Sequence, residues 1–327
     1  MARYISNFIK IIAASLISVS ALAQAWEPTK PVNVVIGFAP GSGNELSFRG
    51  ISSLIEKTNP KINFIVENRP GGDGTIGMNH FVKLPNDGYH IYIASHQGIW
   101  VTAEFANPEN KRYQLDDFEY GLTLAKSPLA VIAHHESLTN TPKEFIDRMR
   151  NTQKPISIAA GSGAHKLAYE YMMYNIKGNR ELIKTIPYKG PAQAGQDVAG
   201  GHLEFGIIPV AVANILVKSG KVKIIALTSE YRLEGLKDTP LMKDFVPGMN
   251  VYAAWGIIFP KGTNKEIIDW YVVNFRTAIN SPEGKQFIRD NLMFAEPREQ
   301  NPKGFEASMM DLRKQWIPII KEVGWAN

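Results

Sequence analysis

The stretch Val32–Glu45 constrains the fold more than any other part of the chain. Val34, Val35 and Ile36 form a short β-branched run, which suits a strand covered on both faces. Pro40-Gly41-Ser42-Gly43 then turns the chain, with positive φ expected at the two glycines. From Leu46 on, the apolar residues Phe48, Ile51 and Ile55 are spaced three and four apart and predict a helix, with Asn44 or Glu45 capping or facing its N-terminus. A strand, a glycine turn and a helix start make a place to hold an anion, because the first helical amides lack partners inside the helix.

The pattern recurs. Phe64-Ile65-Val66 leads into Asn68-Arg69-Pro70-Gly71-Gly72-Asp73-Gly74 and then a helix over Ile76–Lys83; Tyr89–Ala94 leads into the polar loop Ser95-His96-Gln97-Gly98. Further on, Ile156–Ala160 runs into Gly161-Ser162-Gly163-Ala164-His165, with a helix from Lys166 to Met173, and Thr185–Gly190 is another strand with a polar end. Phe205–Val210 and Val222–Thr228 read as strands; Ser281–Asn291 and Gly304–Val323 read as closing helices. Such alternation predicts a parallel α/β sheet, whose ligands sit beyond the carboxyl ends of the strands.

Two further units look alike. Leu129–Ala133 is a strand followed by the capping box Thr141-Pro142-Lys143-Glu144, and Trp255–Pro260 is a strand followed by Thr263-Asn264-Lys265-Glu266. They read either as the two crossings between a pair of domains or as a coincidence of common caps. The helix after the second is amphipathic, with Ile267, Ile268, Tyr271, Val272, Phe275 and Ile279 on one face.

The first 25 residues have a different character. Arg3 and Lys10 precede the apolar run Ile11–Ala21, and Ala23-Gln24-Ala25 matches a small-x-small cleavage site. The run is shorter than the ~20 residues a membrane span needs, so a signal peptide is expected, with a retained anchor as the alternative. Its removal takes the formal charge from +5 to +5 − 2 = +3. No Lys/Arg cluster marks a nucleic-acid surface. The 327 residues contain no cysteine, which excludes thiolate metal sites, a cysteine nucleophile and disulfide support.

Catalytic patterns are missing as well. Leu46 stands where a dinucleotide fingerprint needs its third glycine, and no Walker loop, His-Glu-x-x-His or Gly-x-Ser-x-Gly elbow occurs. His134 and His135 are adjacent and, on a strand, would face opposite ways, so no metal site is expected. The chain is read as no enzyme, with no cofactor. Small hydrogen-bonding groups recur at the strand-to-helix turns instead: Ser42, Asn44, Ser95, Ser162, Gly163 and Gly190.

At this level of detail the residues resemble a known family. Trp26–Val32, Phe38-Ala39-Pro40-Gly41, Val66–Gly72, Asp87-Gly88-Tyr89, Pro187–Gly190, Gly200-Gly201, Thr228 with Arg232, Trp255-Gly256 and Pro260–Thr263 look like the Bug family, the periplasmic substrate-binding proteins of tripartite tricarboxylate transporters. The resemblance covers essentially the whole chain after residue 25. It implies an α/β, two-domain, type II periplasmic-binding (Venus-flytrap) fold, with residues 26–125 and 251–327 in one domain and 126–250 in the other. It implies a monomer that takes a small carboxylate in the interdomain cleft and delivers it to the transporter's membrane permease subunits. A membrane sensor's input, or a secreted hydrolase using Ser162 with His165, are the alternatives.

Carried over by position, Phe38, Ser42, Gly43, Asn44 and Glu45 would line one wall, with Ser95 and His96 beside them. Ser162, Gly163, His165, Tyr188 and Gly190 would line the other. Several positions depart from the family pattern: Glu45 replaces an aspartate, Ser42 a glycine, Lys166 stands where a histidine is common, and Ile208 where an acid is frequent. Glu45 would narrow the cleft or meet a cation on the ligand; Lys166 would meet a second carboxylate or face solvent.

Overall fold

The computed structural model describes residues 26–105, 112–160, 163–188 and 190–322. The expected signal peptide, residues 1–25, lies outside them. Each unit seen in the sequence builds one strand and one helix. Strand β1 (Val32–Ile36) lies between β2 (Phe64–Asn68) and β3 (His90–Ser95), parallel to both. Helix α1 (Gly43–Thr58) follows β1, and α2 (Thr75–Phe81) follows β2. The polar stretch after β3 is no loop: α3 (His96–Phe105) starts at once.

Strand β4 (Phe118–His134) is 17 residues long, of which the sequence suggested only Leu129–Ala133. Glu119, Gly121 and Lys126 interrupt the apolar run, but both faces of the strand are covered along nearly its whole length. Its first part pairs antiparallel with β9 (Tyr252–Pro260), which in turn pairs with β3. Its last part pairs antiparallel with β7 (Phe205–Pro209) and β8 (Val222–Leu227). Beyond β7 lie β5 (Ile156–Ala160) and β6 (Ile183–Ile186), all parallel. The order β2-β1-β3-β9-β4-β7-β5-β6 therefore joins a first and a second half through β4.

In the second half, α4 (Pro142–Asn151) carries the capping box as expected, with Thr141 and Glu144 each bonded to the other's backbone. Helices α5 (Ala164–Asn175), α6 (Pro191–Ala199) and α7 (Val210–Lys218) follow β5, β6 and β7. Helices α8 (Lys265–Asn280), α9 (Pro282–Asp290) and α10 (Pro302–Glu322) close the chain. At α8 the cap is Asn264, whose side chain accepts the Glu266 N–H, while Thr263 Oγ1 donates to the Pro260 carbonyl. The six apolar residues named for α8 are all buried. Phe275 stacks on Phe48 of α1 at 5.7 Å, and both meet Phe64. Buried side chains of this size are each worth roughly 1.5–3 kcal/mol. They fix the axis of α1 and hence where its N-terminus points.

A second crossing lies beside the first. Thr228, just past β8, donates its N–H to the Leu129 carbonyl and its hydroxyl to the Val251 carbonyl, and Val251 N–H returns to Thr228 O. Lys126, on β4 at the junction, is wholly buried. Its Nζ lies 2.5 Å from Glu299, 3.3 Å from Glu296 and over the Tyr252 ring. Its backbone pairs in both directions with Phe294. Burial lowers the Lys126 pKa, but Tyr252 and the two carboxylates raise it more, so the ammonium persists.

Candidate functional site

Helix α1 opens toward the space between the halves. Its cap is Ser42, whose Oγ accepts the Glu45 N–H at 3.4 Å. The two residues expected to cap have other work. Asn44 Nδ2 donates to the Ile93 carbonyl at 2.9 Å and ties α1 to β3. Glu45 Oε2 accepts the Gly41 N–H at 3.1 Å and its Oε1 takes Arg49 Nε at 2.6 Å. Burial raises the Glu45 pKa, but the Arg49 hydrogen bond, the Gly41 amide and the Arg49 charge outweigh it and hold the carboxyl below its ordinary value. Of the two turn glycines only Gly41 has positive φ, +78°. Gly43 is demanded by contact instead: a Cβ there would lie 2.1 Å from Cζ2 of Trp255.

The opposite wall is made by helix starts of the second half. Helix α5 begins after Gly163 and α6 after Gly190, and neither has a side-chain cap. Tyr188 donates its hydroxyl to Asp197 at 2.5 Å. Burial and then that carboxylate push the phenol up to about 12, so it stays neutral.

These walls enclose a cavity of ≈ 50 Å³. From the first half it is lined by Phe38, Ser42, Gly43, Asn44 and Ser95, and from the second by Gly163, His165, Tyr188 and Gly190. Six lining residues had not been singled out: Asp73, Ala164, Pro191, Pro209, Ala253 and Trp255. Asp73 and Trp255 do fall in stretches that the sequence marks, a glycine turn after a strand and the strand Trp255–Pro260. Treating the second glycine turn like the first would have found Asp73. A neighbouring cavity of ≈ 490 Å³ shares Phe38, Asp73 and Tyr188 with the first.

Three of the named residues stand elsewhere or outside view. Glu45 turns back into its own loop and does not line the cavity. His96, expected in a polar loop, is the first residue of α3 and points into the core. It is fully buried, its Nε2 is 3.2 Å from Thr123 Oγ1 and its ring stacks on Phe305 at 4.5 Å. Burial and then the Lys126 charge hold its pKa well below the ordinary histidine value. Ser162 lies outside the described residues. Lys166 is half-buried and lies off the cavity lining.

One expectation about metals changes. His134 ends β4 and His135 begins the turn, so the rings do not alternate; their centroids are 4.3 Å apart and they gather with Glu136. His134 Nδ1 already accepts the Glu136 N–H.

The family model described as "Tripartite tricarboxylate transporter family receptor" matches residues 55–325, and the chain belongs to that family. Among solved structures, the periplasmic binding protein BugD is 27% identical, with a TM-score of 0.81 over 91% of this chain and 99% of that one. MatC from Rhodopseudomonas palustris with bound malate is 18% identical, with a TM-score of 0.81 over 90% of this chain and 100% of that one. An R. palustris protein with adipate is 22% identical, with a TM-score of 0.82 over 91% of this chain and 98% of that one. The fold is the two-domain periplasmic-binding-protein fold that the sequence predicted.

Proposed function

We propose that this family receptor captures a small carboxylate between its two halves in the periplasm and delivers it to the membrane subunits of a tripartite tricarboxylate-type transporter. The observation that carries the reading is the convergence of three helix N-termini, those of α1, α5 and α6, on one cavity. Each presents backbone amides and the positive end of a helix dipole to the same point. A charge-assisted hydrogen bond is worth roughly 1.5–3 kcal/mol and a helix dipole about 0.3–1 kcal/mol. Two or three contacts from each wall reach the roughly −8 kcal/mol of micromolar binding after the costs of association.

In this reading the halves are domains, residues 26–125 with 251–327 and residues 126–250. They close by bending at the paired crossings around Lys126–Pro128 and Thr228–Val251. The solved relatives with malate and adipate support a carboxylate as the ligand class. The signal-like residues 1–25 support export, and the receptor acts as a monomer.

A thermal-shift panel of small carboxylates on the purified protein lacking residues 1–25 tests the reading. A saturable rise in melting temperature with one or a few of them is expected, since binding stabilises by mass action. No shift with any carboxylate at millimolar concentration would overturn it. Ester or amide turnover abolished by Ser162→Ala would favour the hydrolase instead.

A further inference from the structure

The cleft holds two adjoining cavities of very different size. The smaller, of ≈ 50 Å³, faces the helix starts. That is less than the liquid volume of two waters, about 30 Å³ each, so it has room for a carboxylate group and little more. The larger, of ≈ 490 Å³, falls within the roughly 300–1,000 Å³ of a small-molecule site. Phe38 and Pro70 line it from the first half, Pro187 and Tyr188 from the second, and four glycines of the first half offer it no side chain. Tyr188 is neutral, its hydroxyl given to Asp197. Among the described residues no lysine, arginine or histidine lines this cavity. Asp73 borders both cavities, with its carboxylate engaged across the cleft by the Gly163 N–H at 3.1 Å.

The apolar surface continues outward at the same place. The Phe38 ring lies over Gly74, 3.5 Å from where a Cβ there would sit. Ile76, 55% exposed, packs its Cδ1 against Gly71, and Ile186, 37% exposed, directly precedes Pro187. Exposed apolar side chains standing singly need no explanation, but here they flank one cavity from both halves. An apolar group entering it releases water from Phe38, Tyr188 and the prolines, and an aromatic ring adds edge or face contacts with two aromatic side chains. A second carboxylate would lose hydration there without a cation in the described lining to replace it. We propose that the ligand is a monocarboxylate with an apolar, preferably aromatic, body: the carboxylate occupies the smaller cavity and the body the larger one, against Phe38 and Tyr188. This inference rests on the carboxylate-receptor reading and narrows it, away from the malate and adipate complexes of the relatives.

Calorimetry on the protein lacking residues 1–25 tests it with three probes: acetate, succinate and phenylacetate, weak binding being read by competition. In the wild-type protein phenylacetate should bind at least tenfold more tightly than either of the others. Phe38→Ala removes the ring from the larger cavity and should cut the ratio of phenylacetate to acetate affinity at least fivefold. Phe38→Leu keeps apolar bulk without the ring, covers the case in which the alanine variant fails to fold, and should cut the ratio at least threefold. Succinate binding the wild type more tightly than phenylacetate would overturn the inference while leaving the carboxylate receptor intact. So would a ratio unmoved by the Phe38 variants, including a uniform loss of both probes. Failure of all three probes to bind the wild-type protein would remove the receptor reading itself, and this inference with it.

Discussion

The two walls of the cleft are built from the same local unit, yet they are finished differently. On the first wall the start of α1 is largely self-satisfied: Ser42 caps it, Glu45 binds the Gly41 amide and Arg49, and Asn44 is committed to Ile93. On the second wall α5 and α6 begin at glycines with no side-chain cap, and the Gly163 amide is met from across the cleft by Asp73. A strand, a glycine turn and a helix can thus make either a helix start completed by its own loop or one completed from across the cleft. The first wall is finished by its own side chains, whereas the second is met at Gly163 by a side chain from across the cleft.

The strongest way to break this contrast is to spoil the shape of the first wall. Gly43→Val would drive a side chain into Trp255, so carboxylate affinity should fall at least 100-fold. Stability should fall by about 1–3 kcal/mol, as for other overpacked sites. Calorimetry and denaturant unfolding measure the two losses, and an unchanged affinity would mean that this wall does not touch the ligand.

A smaller effect comes from exchanging the caps. Ser42→Ala should cost about 1 kcal/mol of stability, the usual value of a lost N-cap. Gly190→Ser should gain a few tenths of a kcal/mol, since Gly190 is extended (φ −169°) and a Cβ there meets nothing within 4 Å. It should also weaken carboxylate binding about tenfold, because the new hydroxyl takes amides that the ligand would use. Equal effects of the two changes on binding, in a titration of both variants, would erase the difference between the walls.

The smallest effect concerns Glu45. Its folded pKa lies below the ordinary value of 4.5, so its stabilising contribution is present above that pH and is lost as the pH falls through the folded value. Glu45→Gln should therefore flatten the acid limb of melting temperature against pH below about 4.5. Affinity at neutral pH should stay within twofold of the wild type. A large change in ligand preference would return Glu45 to the site.

Much of this arrangement was legible in the chain. The glycine turns at strand ends marked both walls because few residues besides glycine can bring backbone so close to a ligand or a neighbouring ring. The amphipathic face of α8 and the cap at Thr141 were equally plain, since helical spacing and capping chemistry are local. What escaped depended on distant partners. His96 and Gln97 look like loop residues until Thr123 and the Tyr252 carbonyl, from β4 and β9, give them buried hydrogen bonds. Glu45 looked like a ligand contact because the sequence does not show that Arg49, one helical turn away, and the Gly41 amide claim its oxygens. The length of β4 was hidden by Lys126, a charge that a strand tolerates only with a carboxylate waiting 173 positions later.

That pairing imposes an order on the molecule's assembly. Synthesis runs from the N-terminus, so Lys126 is made long before Glu299 and before Phe294, its backbone partner in both directions. Until those residues emerge, closing the junction would bury an ammonium without its counter-charge, at a cost of several kcal/mol. The joint between the halves is therefore the last part of the chain to set. Phe294, Glu296 and Glu299 thus act as the pin that holds the two parts of the sheet together at β4.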